Sequence, residues 1–88
     1  SLDRARAELA RIEQLASMGA VSQLRLEQAR DVVADAEDDE ILRRWLYGNV
    51  GVEHLSEAQA KQMVAAAERR VQRAGKRYEE QAKLVAQG

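Results

Sequence analysis

Few side chains in this sequence are of a type and spacing that could do chemistry. His54 is the single histidine, and there is no cysteine. Zinc is held by histidine, thiolate and carboxylate in sets of three or four, so carboxylates would have to supply almost every ligand beside His54. A histidine exposed on a loop is the plainer expectation. The acidic run from Asp35 to Glu40 lacks the central glycine of a calcium loop and falls inside a helical pattern. Its acids stand four residues ahead of arginines, Asp39 before Arg43 and Glu40 before Arg44, as on a solvated, salt-bridged helix face. Ser1, Ser17, Ser22 and Ser56 have no base beside them in sequence, and Ser22 and Ser56 read as helix caps. The glycines are scattered as helix stops and form no phosphate loop. These residues point away from an enzyme and from any metal or cofactor.

The remaining candidates lie around Gly19. Arg11 and Leu15 are four residues apart and share one helix face beside the turn. Arginine can give paired hydrogen bonds to carboxylates or carbonyls of a partner helix. Leu15 sits just off the apolar seam, where it either meets a partner or widens the core. Gly19 suits the left-handed position that closes a helix, and Ser22 suits the N-cap of the next. The plain alternative is a helical hairpin with a surface arginine.

Positioning such a tip takes helices, and the composition supplies them. Sixteen alanines, a third of residues charged, three aromatic residues and no proline describe long helices with thin seams. The first helix, about 2–18, repeats every seven residues through Leu2, Ala5, Leu9, Ile12 and Ala16. The second, about 23–47, carries Leu26, Ala29, Val33 and Ala36 before its spacing drifts to Ile41 and Trp45. So short a turn makes these two helices antiparallel neighbours. Gly48, Asn49, Val50 and Gly51 break the second helix. Trp45, Leu46, Val50, Val52 and Leu55 gather around that break as an expected apolar plug. Ser56 to Gln59 is a capping box that starts a third helix, about 56–87. Val64, Val71, Tyr78 and Val85 hold its a positions, with Ala60, Ala67, Ala74 and Gln81 at d. The expected fold is all-α: one domain, an antiparallel coiled-coil hairpin extended to three helices.

A shift of 69 residues lays the first helix on the end of the third. Leu2 meets Val71, Ala5 meets Ala74, Leu9 meets Tyr78, Leu15 meets Leu84, Ala16 meets Val85 and Gly19 meets Gly88. The chain thus reads as one helix–glycine–helix unit and the first arm of a second, which suggests a fragment of a longer protein. The third helix is longer than its neighbours, so part of its seam is expected to lack an intramolecular partner and to drive self-association. A net charge of −1 gives no basic excess for nucleic acid. Apolar runs of at most five residues exclude a membrane-inserting segment.

Leu15-Ala-Ser-Met-Gly19-Ala-Val-Ser22, preceded by Arg11 and followed by Gln-x-x-Leu-Glu-Gln-Ala, resembles the hairpin tip of the periplasmic adaptor (membrane fusion) proteins of HlyD type. The resemblance covers about residues 2–36. It implies a helical hairpin in the periplasm, part of an export or efflux system, whose Arg11, Leu15 and Ser22 contact a TolC-like outer-membrane channel. The family's flanking β lipoyl-like strands have no counterpart in this sequence, and Glu80 replaces the arginine at the second tip. The alternative reading is a structural or oligomerising coiled coil with no special tip.

Trp45 is the largest apolar group and lies where two helices meet. Trp45→Ala should therefore cost about 3 kcal/mol or more, read as a loss of urea midpoint. A midpoint close to wild type would place the indole on the surface.

Overall fold

The computed structural model describes residues 1–46 and 56–87, the side chains of 45 and 46 excepted. It contains three helices and, among the described residues, no strand: α1 (Leu2–Ser17), α2 (Gln23–Leu46) and α3 (Glu57–Gln87). The expected ends hold to within a residue. The apolar plug, His54 and Gly88 lie outside the described residues, so the burial expected of Trp45 does too. Contacts divide the chain into two compact units, Ser1–Glu40 and Ile41–Gly88.

Each helix start is a local hydrogen-bonding event. The Ser1 hydroxyl accepts from the Arg4 amide at 3.3 Å, and the Ser22 hydroxyl from the Arg25 amide at 3.1 Å. Ser56 closes the full capping box, its hydroxyl accepting from Gln59 N–H at 3.1 Å while its own N–H donates to Gln59 Oε1 at 2.9 Å. The fourth serine, Ser17, donates to the Gln14 carbonyl in the last turn of α1. All four serines therefore belong to helix ends, including Ser1 and Ser17, which the sequence left unassigned.

α1 ends in a Schellman motif. Gly19 stands at φ +71°, its N–H donates to the Ala16 carbonyl at 3.0 Å, and Ala20 N–H donates to the Leu15 carbonyl at 2.9 Å. A side chain at that φ strains the backbone by about 1–2 kcal/mol, so glycine is the fitting residue. The chain then reverses into α2.

The hairpin core in the first unit matches the sequence stripes. Ile12 (2% exposed), Leu26 and Ala29 form a buried cluster against which Leu9, Leu15, Ala16 and Val21 pack. Ala5 and Val33 extend the buried line. Asp38 breaks the expectation of a solvated acidic face: it is 4% exposed, while Glu37 and Glu40 are open. It has an interaction partner, and no buried side-chain polar atom among the described residues is left unsatisfied. A buried carboxylate without such a partner would cost several kcal/mol.

α3 departs furthest from its reading. Its covered residues are Gln59, Met63, Ala65, Ala66, Arg73 and Glu80, with Ala66 fully buried. The heptad seam is on another side. Val64, Val71, Tyr78 and Val85 are all exposed, as are Ala60, Ala67, Ala74 and Gln81. Ala66, Arg73 and Glu80 each follow a seam residue by two positions, which at 3.6 residues per turn is about 160° around the helix. The period of seven was legible; the face that is covered inside the chain is another seven-residue row, one that runs from Gln59 through Ala66 to the charged Arg73 and Glu80.

Two alanine substitutions separate these faces. Ile12→Ala should destabilise the chain by about 2–4 kcal/mol. Val71→Ala, at an open position, should change stability by less than about 0.5 kcal/mol. Urea denaturation followed by circular dichroism compares them, and equal losses would mean that Val71 is packed.

Candidate functional site

The hairpin tip is built from the last turns of α1, residues 18–22 and the first turns of α2. The three tip residues named from the sequence take three different roles. Ser22 is an N-cap, with its hydroxyl committed to the Arg25 amide. Leu15 is half-buried against Ile12, Leu26 and Ala29, and its carbonyl accepts from both Met18 and Ala20 N–H groups. That settles its position off the seam: it widens the core. Arg11 alone turns a polar head outward, with 60% of its side chain exposed.

Arg11 is held, not loose. Its Nε donates to Glu8 Oε2 at 3.1 Å and its Nη2 to Glu8 Oε1 at 2.5 Å, a paired fork between residues three apart on α1. Arg25 reaches across from α2, its Nη2 lying 3.3 Å from the same Glu8 Oε1. One carboxylate thus sits between two guanidiniums, one from each arm. The Arg11 hydrogen bond outweighs the opposing desolvation and, with the charges of Arg11 and Arg25 adding to it, holds the Glu8 carboxyl below its ordinary pKa of 4.5. The same hydrogen bond raises the Arg11 guanidinium, which stays charged throughout. The net result is a positive flank on the hairpin with its arginine pre-oriented.

The sequence missed four members of this surface, Glu8, Arg25, Met18 and Leu24. Glu8 was visible in principle, since it precedes Arg11 by three residues. Its pairing with Arg25 appears only once the hairpin register is fixed. Met18, 68% exposed at the turn, and Leu24, also exposed, place apolar groups at the tip beside Gly19. No group of histidine, cysteine, aspartate or glutamate among the described residues could hold a metal ion, and no described helix is long and apolar enough to cross a membrane. Comparison with family models, with curated proteins and with solved structures finds no match.

The Glu8 clamp has a definite pH signature. A carboxyl whose folded pKa lies below its unfolded value adds stability above the unfolded value, and loses it as pH falls through the folded one. The clamp's contribution should be complete above about pH 4.5 and fade below it. Thermal unfolding of wild type and Glu8→Gln, compared at neutral pH and below 4.5, should show the difference between them shrinking on acidification. A difference that grows in acid would reverse the assignment.

Proposed function

We propose that this chain is a non-enzymatic docking module, the helical hairpin of an adaptor-type export or efflux component that engages a protein partner through its tip. The observation that carries the reading is Arg11. It is exposed, permanently charged and held by Glu8 in a fixed orientation, close to a turn that offers Met18 to a partner. A partner helix with carboxylates or helix-end carbonyls would complete the fork, and Met18 and Leu24 would supply apolar contact. The tip resemblance gives that partner as the periplasmic end of an outer-membrane channel, and the location as the periplasm. Leu15 and Ser22 serve the reading indirectly, by building the turn that presents Arg11. A second reading, a coiled-coil assembly domain with no special tip, is favoured by the open seam on α3.

Arg11→Ala and Met18→Asp test the tip against Arg4→Ala, an exposed arginine in the first turn of α1. Export, and capture of the channel, would be measured in cells carrying each variant in its native context. All three variants should keep wild-type helicity, because substitutions of exposed side chains change stability little. Arg11→Ala should weaken capture by about 1–3 kcal/mol, the range for a charge-assisted contact, and Arg4→Ala should leave it unchanged. Equal behaviour of Arg11→Ala and Arg4→Ala would remove the tip from the mechanism. Loss of function on Val71→Glu alone would favour the assembly reading.

A further inference from the structure

We propose that Arg25 is a second recognition residue of the hairpin, and that Arg11 and Arg25 together grip one carboxylate side chain of the protein partner. That the partner is a protein rests on the docking reading; the second arginine and the ligand chemistry go beyond it.

The two guanidiniums come from different arms and meet on one atom. Arg11 of α1 bonds Glu8 through Nε and Nη2, and Arg25 of α2 reaches the same Glu8 Oε1 at 3.3 Å. A guanidinium has more N–H donors than one carboxylate can use. The bonds to Glu8 leave the Nη1 group of Arg11, and the Nε and Nη1 groups of Arg25, outside them. Both heads are open to solvent, with 60% of the Arg11 side chain and 41% of the Arg25 side chain exposed. Glu8 is ionised near neutral pH, since the Arg11 hydrogen bond holds its carboxyl below the ordinary range. Two cations thus share one anion, which leaves the trio with one positive charge.

That charge selects the ligand. A carbonyl would accept from an N–H group without offsetting the charge. A carboxylate offers an oxygen to each guanidinium and completes an alternating set of two cations and two anions. The nearest acids in sequence stand elsewhere: Glu13 and Glu27 each follow an arginine of the pair by two positions, about 160° around the helix. Polyanions fit worse than a single carboxylate. Residues 1–31 hold the turn and the arms beside it, and their five arginines are balanced by five acids. Rows of phosphates need a basic face, and none surrounds this pair. The pair exists, moreover, only when α1 and α2 are in register, so its ligand reads the folded hairpin and not one helix.

The test has two parts. In the first, the intact chain, isotopically labelled, is titrated just below neutral pH with acetate, against chloride at equal ionic strength. The Nε–H signals of Arg11 and Arg25 should shift along one common curve with acetate, while that of Arg30, an exposed arginine of α2, should follow the chloride control. In the second, capture of the outer-membrane channel is measured in the native context for Arg25→Gln and Arg30→Gln, both verified for helicity. Arg25→Gln should weaken capture about tenfold, as a lost charge-assisted contact would, and Arg30→Gln should leave it unchanged. Acetate shifts that are absent, or that differ in course between Arg11 and Arg25, would overturn the proposal. Wild-type capture by Arg25→Gln when Arg11→Ala is impaired would overturn it too. Arg25-dependent sedimentation with phosphatidylglycerol vesicles would make a lipid headgroup the occupant and exclude the partner carboxylate. If Arg11→Ala itself captures the channel like wild type, the docking reading fails separately, and the acetate titration decides the anion site.

Discussion

Gly19 is the residue on which the organisation of the hairpin depends. Its positive φ lets two consecutive N–H groups turn back onto the carbonyls of Leu15 and Ala16, satisfying acceptors that a helix end otherwise leaves to water. With the end of α1 closed there and Ser22 opening α2, the two arms have little freedom to slide. Every cross-hairpin contact follows from that register: Ile12 reaches Leu26 and Ala29, and Glu8 reaches Arg25. Movement of one helix by a single residue would rotate these faces by about 100° and part both the core and the ion pair.

How much was legible follows from the range of the forces involved. Helix ends were readable because caps act over three residues: Ser22 to Arg25 and Ser56 to Gln59 are written next to each other in the chain. The stripes of α1 and α2 were readable because one turn commits them to each other. The side of α3 that is covered was not, since its two seven-residue rows have the same period, and period alone does not say which row meets a neighbour. The row of valines looked the better seam on hydrophobicity, yet Ala66 is the residue that is buried. Small size can favour such a row, because alanine lets backbones approach closely. Asp38 was missed for a related reason: a carboxylate in an acidic run reads as solvated until its particular partner is known.

The tip residues teach a similar distinction. Arg11, Leu15 and Ser22 were singled out together by spacing, but spacing joins residues that fold the turn with residues that face outward. Ser22 and Leu15 are consumed by the turn itself, through a cap and a half-buried side chain. Only Arg11 has a head group left over for recognition, and its orientation comes from Glu8, which no motif named. A motif of this kind therefore records a shape and a contact at once, and the two can be told apart only by asking which atoms are already engaged.

The reciprocal hydrogen bonds of Ser56 and Gln59 bear on how fast α3 could be recognised. They start the helix from within four residues of its own sequence, and its 31 residues run well past the length at which helices become marginal in water, about 12–15 residues. The valine row is thus displayed on a rod that is already wound when it meets anything. Encounter then requires alignment alone, without the ordering entropy that a segment folding on contact must lose.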